Sequence, residues 1–569
     1  MKKPFAIRRT LLGAIILLAV SVCQHNNKAI AQTLGNSLII NELPQYAVFF
    51  SDKQGTPYSV ERPLEFLSQR ALDRRILRGI PVNEDDLPVN PGYVDEITAV
   101  GAKVKWTSRW FNFAMVYADS TIVDIIEAKD FVDSVVYIRP ADDIVALHEH
   151  HDKWRDEIMH AGWKNETNDS VYHGDTFEQI NQINGVEVHK QGYTGKGVLI
   201  AVLDAGFKRA NALHVFDSLY ENDKIVYTAD IVDVTNDIYD NSLSNHGTAV
   251  LSTMGGNIPY SYIGTAPDAS YALIRTEDAP TEYLIEEYNW VIGAEKADSI
   301  GADIINSSLG YSTFDDPAME IPYNMMDGFT AISSKAVAKL VERGVFVVVS
   351  AGNSNGTDWP WVGTPADAPA ALTVGAVTLS GNIASFSSIG PNGAGLLKPN
   401  TVACGVKCAA YIDNFGSYLT SGTSFSSPIT CGMTACMIQA KPDMKPSDLL
   451  NTIEKNSDRY ENPDYYFGNG LPDFNAVLSE LTDEGITEHV TKPNPAIYPN
   501  PTFNYHVTLS AQQKITRIVT YDINGPTLNT RNVDGNIVNM DFGEFGRGVY
   551  IIKVYFEDGS MVTKKIVVM

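Results

Sequence analysis

Long apolar runs that stop at a glycine or a small polar residue recur through the middle of the chain: GVLIAVLDAG, YALIR, ADIINSSLG, GVFVVVSAGN and ALTVGAV. Strands that read as continuous hydrophobic stretches, with no polar alternation, belong in a parallel sheet covered on both faces. Between them stand segments of helical period, HGTAVLSTMGG, TEYLIEEYNWVIGAEKADSIG and AISSKAVAKLVERG. This alternation predicts an α/β domain over residues 181–480, a doubly wound, mainly parallel sheet with helices on both faces. Sites in that architecture gather at the carboxyl ends of the strands.

The flanks carry other patterns. Residues 45–140 read as a small α+β unit. YAVFF, KVKWTSRWFNFAMVYA and VDSVVYIRP supply its strands; PLEFLSQRALDRRILRG, YVDEITAVG and STIVDIIEAKDF supply helical period. Residues 141–180 are polar with little apolar period, as in a linker, and hold His148, His150, His151, His160 and His173. Such a run can bind metal or sense pH, and more commonly is a solvated connector. Residues 481–494 form a second linker. From 495 to 569, YHVTLS, RIVTYDI, GVYIIKVYF and TKKIVVM alternate and are separated by turns, which predicts a small all-β, sandwich-like domain. At the other end, basic MKKPFAIRRT, apolar LLGAIILLAVSV and the small-residue AIA predict a signal peptide, residues 1–31, cut after Ala31. The apolar run is too short for a comfortable membrane span.

Charge and cysteines narrow the picture. The net charge of −25 argues against a nucleic-acid partner, which needs a basic footprint. Of five cysteines, Cys23 leaves with the signal. Cys404, Cys408, Cys431 and Cys436 can pair in an exported protein or lie buried as thiols, and no connectivity follows from sequence. No histidine stands among them, which disfavours zinc.

The chemistry sits where the apolar runs end. Asp204 closes GVLIAVLD, His246 opens a helix of small residues, Asn353 follows GVFVVVSAG, and Ser424 precedes the helical PITCGMTACMIQA. Alone, each has an ordinary use as a turn or cap residue. Together they supply an acid, a base, an oxyanion donor and a nucleophile for acyl transfer.

The four motifs, in the order Asp, His, Asn, Ser with 42 residues from Asp204 to His246 and 178 from His246 to Ser424, resemble those of the subtilisin-like serine proteases. GTAPDASYALIR, INSSLG, TVGAV, ASFSSIGP and KPN resemble further family landmarks in the same order. The resemblance implies a serine endopeptidase. Asp204, His246 and Ser424 would form its triad, and Asn353 would serve the oxyanion hole. It also implies substrate contacts. Ser308, Leu309 and Gly310 would form an edge that pairs with an extended peptide. Ser350, Ala351 and Gly352 would form a pocket wall, and Gly363 its floor. No acid lies in these segments, so a large uncharged side chain is expected before the scissile bond. Ala205, Phe425, Ser426, Ile429, Asn400 and Cys404 depart from the family's usual residues without removing a catalytic group. No cofactor is needed for the chemistry, and structural calcium cannot be located from sequence. Rival uses of the scaffold are an adhesin with no activity and a peptide ligase.

Residues 45–140 resemble the family's inhibitory propeptide, which implies an intramolecular inhibitor cut off within 141–180. The linker histidines permit the expectation that mild acid loosens its grip. IYPNP, YDINGPTL and GVYIIKVYFEDGSMVTKKIVV resemble a type IX secretion sorting domain. This implies a Gram-negative cell, passage through the periplasm, the secretion machinery as a partner, and a protein released or held at the cell surface.

Overall fold

A computed structural model describes residues 43–141, 159–160, 172–234, 237–482 and 495–569, apart from 499, 501, 503–504, 524–525 and 558–560 in the last stretch. Two compact units result, divided between Thr482 and Asp483.

The first unit begins with four antiparallel strands, β1 (Gln45–Phe50), β2 (Lys103–Ser108), β3 (Phe113–Tyr117) and β4 (Val132–Arg139), in the order β2-β3-β1-β4. Helices α1 (Gln69–Leu77), α2 (Pro91–Ala99) and α3 (Ser120–Glu127) start where the sequence offers caps. Ser68, Asn90 and Asp119 each accept a backbone N–H of the first turn through the side chain. Strand alternation splits the sheet's apolar residues between two cores. Val48, Ala114 and Val116 pack with Ile97 and Ile126 of α2 and α3. Ala47, Phe113 and Met115 face the opposite way, into a core shared with the larger domain behind.

That domain is a seven-stranded parallel sheet of β5 (Leu199–Asp204), β6 (Ile225–Asp230), β7 (Ser270–Arg275), β8 (Ile304–Ser307), β9 (Phe346–Ser350), β10 (Leu372–Val377) and β11 (Thr401–Cys404). Their order is β11-β10-β9-β8-β5-β7-β6. Every residue of β5 is buried, as its unbroken apolar run requires. Ile200 and Val202 pack into one core with α4 (His246–Gly255). Leu199, Ala201 and Leu203 pack into the other with α5 (Ile285–Ile300) and α6 (Ile332–Glu342). After β11 a hairpin of β12 (Cys408–Tyr411) and β13 (Ser417–Thr420) leads into the long helix α7 (Thr423–Ala440). Two elements escape the hydrophobic pattern. β6 is an edge strand half open to solvent, and β11 is only four residues long.

Two differences from the sequence reading concern the linkers and the tail. Residues 172–180, read as linker, belong to the folded domain, where His173 is 3 % exposed. Its Nε2 lies 3.0 Å from Nδ1 of His189, whose imidazole burial pushes down to about 4. His148, His150 and His151 lie outside the described residues, and of His160 only the backbone is described, paired with Tyr418. In the second unit, β14 (Ala496–Tyr498), β15 (His506–Asp522), β16 (Thr527–Asp541), β17 (Gly548–Phe556) and β18 (Met561–Val568) form one sheet. YHVTLS and RIVTYDI, read as two strands, run as the single bulged β15. β16 carries no strand signature in the sequence, because most of it is exposed and leaves no apolar alternation.

Candidate active site

Asp204 ends β5 at its carboxyl end and is fully buried. Its Oδ1 accepts from Nδ1 of His246 at 2.8 Å and from the backbone N–H of Ala205 at 2.8 Å. His246, 6 % exposed, opens α4. The helix start is pressed against the strand end, since a Cβ on Gly247 would lie 2.5 Å from the Gly206 carbonyl and 2.9 Å from Asp204 Cβ. Only glycine fits after this histidine, a packing reason for the His-Gly pair. A buried carboxylate that accepts the Nδ1 proton fixes the imidazole's tautomer and orientation.

Ser424 is the second residue of α7 and 3 % exposed. The residue before the helix, Gly422, has φ +149° and no side chain with which to cap. The cap comes from across the cleft. Asn353 Oδ1 accepts the Thr423 backbone N–H at 2.9 Å and the Thr423 hydroxyl at 3.0 Å. With two donors on its oxygen, the Asn353 amide presents its NH2 on the other side, and a Cβ at Gly422 would lie 3.5 Å from Nδ2. Thr423 Oγ1 in turn accepts the Gly352 N–H at 3.1 Å. Thr423 was missed in sequence, where it is one of six serines and threonines within residues 421–430. The helix expected from Pro428 onward begins earlier, at Thr423, one residue before Ser424, so that Pro428 is the sixth residue of α7. Of the unusual neighbours, Phe425 sets its ring centroid 6.3 Å from that of His246, and Ile429 is core. Asn400 Oδ1 accepts from Thr373 N–H and from the buried Lys398 ammonium, both at 2.9 Å.

A cleft of about 270 Å³ brings together Ser308, Leu309, Gly310, Ser350, Ala351, Gly352, Asn353, Gly363 and Ser424. It is also lined by Trp361, Ala366 and Ser388, which sequence reading did not name, and by no charged side chain. Gly363 must lack a side chain, because a Cβ there would lie 2.5 Å from the Tyr311 carbonyl. Trp361 is held by Tyr323 and Trp359, with ring centroids 4.4 and 5.6 Å away.

The four cysteines are buried free thiols. Cys404 and Cys408 bring their Sγ atoms to 3.4 Å, and Cys436 donates to the Thr265 carbonyl. Burial pushes the thiols of Cys408, Cys431 and Cys436 up. Carboxylate oxygens of Glu277, Glu282 and Glu286 lie within 4.8 Å of one another, an all-oxygen set of the kind hard cations take.

The α+β unit meets α5 through charge. Asp298, fully buried, takes Arg74 at 2.5 Å, Arg75 at 2.8 Å and Arg109 at 2.5 Å. Asp86 of the α+β unit takes Arg75 at 2.7 Å and, across the interface, Arg343 at 2.7 Å. Burial alone would raise the Asp86 carboxyl, but Arg75 and Arg343 outweigh it and hold it at about 2. The Asp298 carboxyl is likewise held low against burial by its guanidiniums. Glu295 Oε2 accepts the Arg109 N–H at 3.0 Å, and its Oε1 accepts the Ser108 hydroxyl at 2.5 Å and the Trp110 N–H at 3.2 Å.

Known families match three stretches: the subtilase family (peptidase S8) over residues 195–470, the Bacteroidota peptidase S8 propeptide domain over 45–153, and the secretion-system C-terminal sorting domain over 496–569. Subtilisin of Bacillus pumilus is 30% identical over 297 residues, 51% of this chain and 94% of the relative. Subtilisin E of Bacillus subtilis (strain 168) is 29% identical over 382 residues, 66% of this chain and 83% of the relative. A crystal structure of MycP1 with its N-terminal propeptide removed aligns at 23% identity and a TM-score of 0.41, covering 53% of this chain and 97% of that one. Among the described residues no helix is long and apolar enough to cross a membrane.

Proposed function

The chain belongs to the subtilase family of serine peptidases, with a propeptide domain before the peptidase domain and a secretion sorting domain after it, and from that premise we propose an exported serine endopeptidase, made as a zymogen, that works through Asp204, His246 and Ser424. The observation that carries this reading is the buried 2.8 Å hydrogen bond between Asp204 and His246, beside the start of α7, where Ser424 lies.

A serine hydroxyl is a weak nucleophile near neutral pH and needs a base. With Nδ1–H donated to Asp204, the basic nitrogen of His246 is Nε2, which takes the Ser424 Oγ proton as Oγ attacks the peptide carbonyl. Asp204 stabilises the imidazolium that forms. Negative charge then develops on the carbonyl oxygen. The Asn353 NH2, pre-set by Thr423, and the Ser424 N–H receive it, and the N-terminal end of α7 adds a favourable dipole. His246 returns the proton to the leaving amine, and water, activated the same way, releases the acyl group from Ser424.

The backbone of Ser308–Gly310, which lines the cleft, serves as the edge on which an extended substrate adds as a strand. The uncharged cleft with its Trp361 wall and Gly363 floor takes a large uncharged side chain before the scissile bond. The propeptide is the intramolecular inhibitor, released after a cut within 141–180. The sorting domain is read by type IX secretion machinery and removed outside the cell. The reaction uses no metal or cofactor. N-terminal profiling of a proteome digested with the purified, processed protein tests this. Internal cuts after large uncharged residues are expected. Release of terminal residues only, or no new N-termini, would overturn it.

A further inference from the structure

Pro428 lies inside α7 and has no N–H to give to the carbonyl four residues earlier. That carbonyl belongs to Ser424. In its place the Ser308 hydroxyl donates to the Ser424 carbonyl at 3.0 Å. Ser308 Oγ accepts from Asn306 Nδ2 at 3.0 Å, and Asn306 Oδ1 accepts from the Ser427 hydroxyl at 2.9 Å. Asn306, Ser308 and Ser427 are each at most 1 % exposed. Every donor in this line has one direction, from Ser427 through Asn306 and Ser308 to the backbone of Ser424. Both ends are built into α7, and the middle is β8 with the residue that follows it.

We propose that Ser427, Asn306 and Ser308 are positioning residues, a buried relay that fixes the Ser424 backbone against the substrate edge. Ser308 has two tasks under this assignment. Its main chain belongs to the edge that holds the peptide, and its side chain holds the nucleophile's carbonyl. A helix with an ordinary residue at 428 would satisfy that carbonyl internally and leave α7 free to shift against β8. The proline transfers the bond to the edge segment, so attacking atom and substrate strand are set by one set of contacts. Buried polar lines of this kind are stiff only when every member is satisfied, and removing one leaves a buried donor or acceptor without a partner.

The inference rests on Ser424 as the nucleophile. It is tested by steady-state kinetics of the processed enzyme, normalised to active sites titrated with a fluorophosphonate, alongside thermal midpoints. Ser308→Ala and Ser427→Ala should each lower kcat per titrated site about tenfold with KM within about twofold, since a misplaced nucleophile weakens the transition state and not binding. Ser308→Thr, which keeps the hydroxyl, should recover most of the loss. The double variant should be no worse than the poorer single, because both cut one line. Turnover per titrated site within twofold of the parent, with only the thermal midpoint lowered, overturns the relay, as do losses that multiply in the double variant. A parent that takes up no fluorophosphonate at all overturns the serine-peptidase reading and the relay with it.

Discussion

The cleft and the propeptide interface lie on one domain and are made of opposite materials. Around Ser424 and Asn353 the lining is hydroxyls, one amide, backbone, apolar groups and the Trp361 ring, with no charged side chain. At α5 the contact with the propeptide is a knot of buried charges, Asp298 with Arg74, Arg75 and Arg109, and Asp86 with Arg75 and Arg343. A surface that must accept many peptides uses what all peptides share, the main chain. A surface that must hold a single partner can use desolvated ion pairs, which are of little net value when matched and costly when one member is missing. The interface thus discriminates through charges that any other occupant would leave unpaired.

The sharpest way to break the contrast is in the cleft. Asn353→Ala removes the neutral donor proposed to meet the developing oxyanion, and kcat should fall about 10²–10³-fold, the cost of deleting such a donor in subtilisin, with KM little changed. A loss below tenfold would mean that the amide is only a cap for α7. Next comes the interface. In a full-length chain made inert by Ser424→Ala, Asp298→Ala strands buried guanidiniums and should cost about 3–5 kcal/mol in urea unfolding, with propeptide and peptidase separating in the transition. An effect under about 1 kcal/mol would make the knot a surface-like set of pairs.

Acid distinguishes the two kinds of lock. The Asp86 carboxyl has an ordinary value of 3.8 and is held at about 2 in the folded chain. A depressed carboxyl stabilises fully above its unfolded value and loses that contribution as pH falls through the folded one. The propeptide grip should therefore stay whole to about pH 4 and weaken between 4 and 2, followed by the fluorescence of Trp110, buried beside Arg109 and Arg343. Release centred near pH 6 would return the control to the histidines of 141–180. The smallest effect expected is for Thr423→Val. It removes the hydroxyl that orients the Asn353 amide, about 0.5–1.5 kcal/mol, so kcat should drop threefold to tenfold.

The two surfaces also differ in how far the sequence discloses them. Asp204, His246, Asn353 and Ser424 end or begin strongly patterned elements, and the ends of parallel strands are where such an architecture collects its chemistry. The sheet itself is legible because strands covered on both faces read as unbroken apolar runs. β6, β11 and β16 are not, being edge, short or exposed. The interface is hidden for another reason. Arg75 and Asp298 are 223 residues apart, and each looks like an ordinary charge on a helix. The same holds for Thr423 with Asn353 and for Ser308 with Ser424. Their side chains matter through one partner far along the chain, and no local period marks them.

The central claim is that Ser424 is made nucleophilic by its neighbours. The most direct measurement is reaction of the processed protein with a fluorophosphonate probe, followed by peptide mass spectrometry. The account predicts a single adduct on Ser424, absent from Ser424→Ala and strongly slowed in His246→Ala. No adduct on the parent protein, or labelling that persists in Ser424→Ala, would contradict it.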